Sequence, residues 1–276
     1  MNGECPKPKV VFVLGATATG KSKLAIALAH RFDGEVINSD KIQVYDGVPI
    51  LTNKVTEEEC AGLRHHLLGG VHPDADFTVE DFRREASAAI ARVISLGRLP
   101  VVAGRSNTYI EALVEGDGAV FRASHDCLFI WVDAAPEMLK WYTALRVDDM
   151  VERGLVAEAR AVFNAGNEDY TRCVRRAIGL PEMHEYLLLL ELDELEGTVG
   201  EAELAEMLDR AVRKIKANTF VLVLAQQAKI QRLSTMEGWD RGTCAASTPP
   251  SCSRPWRRAS ERRPGSRSCG SHPRRW

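Results

Sequence analysis

Residues 15–22, Gly15-Ala16-Thr17-Ala18-Thr19-Gly20-Lys21-Ser22, meet the pattern G-x-x-x-x-G-K-[ST] in full. The octet follows the apolar run VVFVL at 10–14 and opens a segment, 22–31, that reads as a helix, so it lies between a buried strand and a helix N-terminus. There, backbone N–H groups surround a phosphate chain, Lys21 adds a point charge and the Ser22 hydroxyl is placed to ligate magnesium. A second chemical residue, Asp40, ends the apolar run EVINS at 35–39. In a parallel sheet that position is on the carboxyl edge, beside the loop. An acid there deprotonates a hydroxyl in a kinase and helps to hold magnesium in an ATPase, and the residues alone leave both open.

The elements that position these groups follow from periodicity. Strands are expected at 10–14, 35–39, 99–103 (LPVVA) and 127–132 (CLFIWV), the last ending at Asp133. Between the second and third, Val79, Phe82, Ala86, Ala89, Ile90 and Val93 recur at helical spacing within 78–96. Strands alternating with helices imply an α/β fold, a parallel sheet flanked by helices of the P-loop NTPase type. From Ala135 the strand signal stops. One amphipathic helix is expected through Trp141, Leu145, Val151, Leu155, Val156, Ala159 and Phe163, with others at 183–195 and 201–233, giving a helical C-terminal half. The Leu187–Leu190 run reads as core, and no internal repeat is present.

Composition limits the function classes. With 276 residues and 45% apolar content the chain has material for a globular core, and no apolar stretch reaches the roughly 18–20 residues that span a bilayer. The first nine residues, MNGECPKPK, resemble neither a signal peptide nor a transit peptide, so a cytoplasmic location is expected, or a plastid one if an N-terminal transit peptide is missing. The seven cysteines form no C-x-x-C pair and have no His at metal spacing, which favours free thiols. Residues 241–276 hold nine Arg and one Glu, a net +8 against −2 for the whole chain, so 1–240 carries −10. An acidic body argues against a general nucleic-acid surface. The Ser/Pro/Arg-rich tail at 241–276 is expected to be disordered. It reads as a solvated charge run, a basic arm or the product of a shifted reading frame.

The residues around Asp40, VINSDKIQVYDGVPILTNKVTEEE (36–59), resemble the adenylate isopentenyltransferases of plants. So do LRHHLLG (63–69), ADFTVEDFRREA (75–86), AGRSNTYIEAL (103–113), WVDAAPEML (131–139), RVDDMVERGLVAEAR (146–160), YTRCVRRAIGLPE (170–182) and IKANT with LAQQAKIQRL (215–233). The likeness runs in order from about residue 10 to 239. It implies one isopentenyltransferase domain over 1–240, with a sheet core at about 8–134 and a helical part at about 135–240. It also implies that the loop (Gly15, Ala16, Ala18, Thr19, Gly20, Lys21, Ser22) holds the diphosphate of dimethylallyl diphosphate, with Mg2+ at Ser22, while AMP, ADP or ATP accepts the prenyl group. By the same likeness Asp40 is the base, Thr17 donates to the bridging oxygen, and Arg176, in R-A-I-G (176–179), balances the leaving charge. Lys54, Ser106, Asn107 and Arg146 line the substrates. Asp133 is either a second acid or structural. Neither tRNA, a membrane nor a stable protein partner is expected.

Three positions depart from the family: Gly104-Arg105 replaces a glycine pair, Arg64 a usual proline, and Gln226 a common arginine. Ala18 departs less, since related enzymes also lack glycine at that loop position. The nearest alternative is a tRNA dimethylallyltransferase, disfavoured by the short span between Tyr109 and Cys127, the lack of zinc spacing and the acidic body. A P-loop kinase of small metabolites and a binding protein without turnover are further readings. Arg105 intrudes on a tight loop near the substrate, and Arg105→Gly is expected to raise turnover in a prenyl-transfer assay.

Overall fold

A computed structural model describes residues 6–197 and 199–239. The tail at 241–276 lies outside the described residues. The first strand, β1 (Lys9–Gly15), leads into α1 (Lys21–Arg31) and β2 (Gly34–Asn38). After a short α2 (Glu57–Cys60) and a two-residue β3 (His65–His66) come α3 (Val79–Ser95), β4 (Leu99–Ala103), α4 (Asn107–Ser124) and β5 (Asp126–Val132). The remainder is helical: α5 (Pro136–Glu152), α6 (Leu155–Ala161), a 3-10 turn (Val174–Arg176), α7 (Leu180–Glu196) and α8 (Glu201–Leu233).

The five strands are all parallel, in the order β3-β2-β4-β1-β5. Register places Val11 opposite Val101 and Leu128, so β1 is flanked on both sides. Both faces of the sheet are covered. Val10, Phe12 and Leu14 join the larger core beneath α3 and α4, while Val11 and Val13 face Ala25 and Ala29 of α1. This two-sided burial is why the strands read as continuous apolar runs instead of alternating ones. Phe12 stacks on Phe129 with ring centroids 5.2 Å apart. The start of α3 is set by a capping box, in which Thr78 Oγ1 accepts from the Asp81 N–H at 3.1 Å and Asp81 accepts from the Thr78 N–H at 3.0 Å.

Besides the short α2 and the 3-10 turn, the structure differs from the sequence expectation at three places. His65–His66 forms an edge strand too short to leave a periodic signal. The single helix expected through 141–163 is two, because Gly154 adopts φ 103, a left-handed backbone that ends α5 and redirects the chain. Helix α4 was not expected: its Gly116-Asp117-Gly118-Ala119 segment leaves helical geometry and reads in sequence as a turn, yet helix flanks it on both sides.

The 33-residue α8 packs along α5 and α7 and reaches the sheet through Val223, which joins Leu139 and Ala16. Beyond α8, Trp239 is fully buried, stacks on Phe129 at 4.3 Å and donates from its indole nitrogen to Glu115 at 2.6 Å. No helix among the described residues is long and apolar enough to cross a membrane. Trp239→Ala is expected to lower unfolding stability by about 3–5 kcal/mol, read from urea denaturation, since it empties a large apolar site and removes one of the two donors to Glu115, leaving Arg122.

Candidate active site

The loop at 15–22 turns sharply off the carboxyl end of β1. A Cβ on Gly15 would lie 2.4 Å from the Val132 carbonyl and 2.7 Å from Thr19 Oγ1, so no larger residue fits. Gly20, at φ 91, caps α1 and aims the helix N-terminus into the loop. Ala18 takes φ 68 without glycine's freedom, a conformation that costs about 1–2 kcal/mol. Thr19 Oγ1 donates back to the Ala16 carbonyl at 2.9 Å and closes the turn.

Lys21 is buried, and its ammonium donates to the Ala16 carbonyl at 2.6 Å. Burial, reinforced by the Arg146 charge and less strongly by Arg105, lowers its pKa to about 7, with Asp40 pulling the other way. Burial and Arg105 also bring Arg146 down to about 10, still a cation at neutral pH. Arg146 donates to Thr17 Oγ1 at 2.8 Å, which leaves the Thr17 hydroxyl proton free to point outward. Ser22 is exposed in the first turn of α1.

Asp40 follows β2 and is 2% exposed. Its Oδ1 accepts from the Ile42 N–H at 2.9 Å and the Gln43 N–H at 3.4 Å, while Oδ2 accepts from Arg105 Nε. A second Arg105 nitrogen reaches Oδ1 at 3.2 Å and the Thr52 carbonyl at 3.1 Å. Burial works against ionisation of Asp40, but the Arg105 guanidinium and the two amides outweigh it and hold the carboxyl below its usual range.

Asp40, Arg105, Ser106, Asn107 and Arg176 line a cavity of about 450 Å³ whose apolar wall includes Ile42, Leu51, Ile178, Leu222 and Ala225. Ser106 caps α4 by accepting from the Tyr109 N–H at 3.2 Å. The Asn107 side chain is 3% exposed with both amide atoms unpartnered, and it offers a donor and an acceptor side by side. Of the three neighbouring arginines, Arg172 is exposed and Arg175 turns away to the Asp169 carbonyl at 3.1 Å. Arg176 lines the cavity, donates to the Lys41 and Phe77 carbonyls at 3.3 Å and keeps a buried, unpartnered Nε.

Two sequence candidates stand apart. Lys54 is not in the cavity wall: the turn from Val48 folds it back, and its ammonium donates to the Tyr45 carbonyl with Asp46 and Glu158 as charge neighbours. Asp133 is exposed, accepts from the Ala134 N–H at 2.9 Å and serves the turn after β5. Sequence reasoning missed Lys41, Lys229 and the role of Gln226. Residues 222, 225, 226 and 229 follow i, i+3, i+4, i+7 spacing on α8, a stripe that marks one helix face toward the cavity. Gln226 bridges two parts of the site, accepting from the Thr17 N–H at 2.7 Å and donating to the Arg105 carbonyl at 2.7 Å. The arrangement is a loop flanked by the Lys21 and Arg146 cations, with the charge and donors suited to an anion, joined through Gln226 and Arg105 to a largely apolar cavity with one carboxylate at the junction.

Known proteins resemble this chain in sequence and in fold. The family model described as IPP transferase matches residues 43–126 and 117–231, and that described as isopentenyl transferase matches 8–74. The chain is 49% identical to Adenylate isopentenyltransferase 5, chloroplastic, of Arabidopsis thaliana, over 85% of this chain and 69% of the relative. It is 50% identical to that plant's Adenylate isopentenyltransferase 7, mitochondrial, over 83% and 68%, and 40% identical to the Adenylate isopentenyltransferase of Humulus lupulus, over 83% and 76%. Among solved structures, a tRNA isopentenylpyrophosphate transferase from Bacillus halodurans superposes with a TM-score of 0.66 at 27% identity, covering 82% of this chain and 87% of that one. A eukaryotic dimethylallyltransferase acting on tRNA gives 0.65 at 24% identity, over 81% and 70%. With a matching model over most of its length and relatives at up to 50% identity, the chain belongs to the IPP transferase family of isopentenyl transferases.

Proposed function

We propose that the protein transfers the dimethylallyl group from dimethylallyl diphosphate to the exocyclic amine of adenine in AMP, ADP or ATP, releasing diphosphate, the first step of cytokinin biosynthesis. The observation that carries this reading is the position of Asp40, a buried carboxylate on the cavity wall whose charge also reaches the cations of the phosphate loop. An acceptor in the cavity and a diphosphate in the loop would meet at that group. The relatives named for adenylate support the acceptor. The structural neighbours that act on tRNA are the more distant alternative, at 24–27% identity. Two relatives carry chloroplastic and mitochondrial names, which supports a plastid or other organellar location beside the cytoplasmic one.

The exocyclic amine is a weak nucleophile because its lone pair is delocalised into the ring. As its nitrogen forms a bond to the first prenyl carbon, Asp40 takes the amine proton, the carbon–oxygen bond breaks and its electron pair leaves with diphosphate. Lys21, Arg146, the loop amides and Arg176 compensate the growing charge, and the Thr17 hydroxyl donates to the bridging oxygen. The Asn107 amide suits the edge of a purine, and the apolar wall suits the ring and the prenyl chain.

Among the described residues no group of three or more His, Cys, Asp or Glu is arranged to hold a metal. An exposed Ser22 hydroxyl beside a phosphate loop fits magnesium that arrives on diphosphate oxygens and keeps most of its water. Bound there, magnesium would neutralise leaving-group charge.

Incubating the chain with magnesium, dimethylallyl diphosphate and AMP, ADP or ATP in separate tubes is expected to give nucleotide carrying one added prenyl group by mass spectrometry, and Asp40→Asn to cut the rate roughly 10²–10⁴-fold. Phosphoryl transfer from ATP, or product from tRNA alone, would overturn the assignment.

The lowered pKa of Lys21 sets a pH signature. Above pH 7 the free side chain is largely neutral, whereas a bound diphosphate favours the cation, so binding takes up a proton and weakens as pH rises past 7. Calorimetry with inorganic diphosphate at pH 8, in buffers of different ionisation heat, should show that uptake in the wild type and its loss in Lys21→Arg.

A further inference from the structure

Arg105 occupies a backbone that has little freedom. A Cβ on Gly104 would lie 2.4 Å from the Ser39 carbonyl carbon, the Ser106 N–H donates to the Ser39 carbonyl at 3.1 Å, and Gln226 holds the Arg105 carbonyl at 2.7 Å. Only the side chain is able to move. It is 25% exposed, while its partner carboxylate is 2% exposed.

The bonding of Asp40 is lopsided. Oδ1 stays anchored by the Ile42 and Gln43 amides whether or not Arg105 is present, whereas Arg105 Nε is the hydrogen-bond donor to Oδ2. Removing the guanidinium would therefore leave a fixed carboxylate with one free oxygen on the cavity wall. On the other side, the Arg105 charge reaches Lys21 and Arg146, which places it within electrostatic range of the loop. A diphosphate brings more negative charge than one carboxylate and accepts a guanidinium in two-point fashion.

We propose that Arg105 is a positioning residue that holds Asp40 paired in the free protein and passes its guanidinium to the diphosphate when the loop fills, freeing Asp40 Oδ2 to act as base only with the prenyl donor in place. The Gln226 bridge keeps the two sites in register during the exchange, because it anchors the Arg105 backbone and the loop at Thr17 through one side chain. The inference rests on the reading that the loop takes diphosphate, and the test separates the two.

The full chain, labelled with nitrogen-15, is titrated with inorganic diphosphate and magnesium while calorimetry follows binding. The Arg105 Nε–H resonance is assigned by its loss in Arg105→Lys, and Asp40→Asn supplies the position of the freed guanidinium. The expected result is movement of that resonance toward the Asp40→Asn position in step with the heat. Binding heat with a stationary resonance would overturn the transfer and leave the loop reading intact, and no heat would overturn both. In kinetics, Arg105→Gly is expected to raise the donor KM roughly ten- to a hundredfold, the loss of a charge-assisted hydrogen bond, with kcat at or above wild type. An unchanged donor KM with reduced kcat would also overturn it.

Discussion

A carboxylate at the edge of a parallel sheet must be kept charged although almost none of it meets water. Asp40 is 2% exposed, and burial alone would drive it toward the neutral acid. Two backbone amides and the Arg105 guanidinium hold it ionised, while Lys21, Lys41 and Arg146 lie within reach of its charge. The surroundings of Asp40 are thus richer in cations than one carboxylate can satisfy. That excess stays tolerable because three of these cations have a local acceptor, Ala16 for Lys21, Thr17 for Arg146 and Thr52 for Arg105, while Lys41 lies over the Tyr109 ring. An anion arriving in the loop meets donors already gathered, with little reorganisation left to do.

The helical half serves this arrangement directly. Strand ends and the loop supply Asp40, Lys21 and Thr17, but nothing in the sheet closes the space above them. Helix α8 does so with one stripe, in which Leu222 and Ala225 give an apolar wall, Gln226 a bridge and Lys229 a cation paired with Glu111. Val223, on the neighbouring face, packs against Ala16 and Leu139 and so fixes the height of that stripe over the loop. Packing and chemistry use adjacent faces of one helix, which is why its apolar pattern is interrupted where it meets the site.

Much of this was legible in the residues. The G-x-x-x-x-G-K-S octet, the continuous apolar runs and the helical spacing at 78–96 located the loop, the sheet and α3, because each rests on local rules that tertiary structure seldom overrides. Ser106, Asn107, Arg146 and Arg176, which the family likeness and not their spacing singled out, converge with Asp40 around the loop and the cavity. What did not show in the residues depends on distance across the chain. Gln226 lies 209 residues from Thr17, and no periodicity links them. Lys54 matched its segment yet faces Tyr45, since a turn of a few residues decides which side of the strand end a lysine reaches. Gly154 divides a helix that its apolar spacing alone presents as continuous.

Two of the three departures from the family, Arg105 and Gln226, lie far apart in sequence but touch each other in space, and this changes what each means. Taken singly, Arg105 is a bulky cation beside a glycine and Gln226 a lost charge. Together they place a cation on the turn after β4 and a neutral amide on α8, the latter able to accept from the loop and donate to the turn at once. An arginine at 226 carries donors only and could not accept the Thr17 N–H. The free protein meanwhile sheds charge by lowering the pKa of Lys21 instead of adding acids, which would weaken anion binding. A diphosphate in the loop would therefore recharge Lys21, engage Arg146 and draw on Arg105 in one event. Coupling those responses to a single anion ties base availability to donor occupancy through electrostatics, without requiring any element of the fold to move.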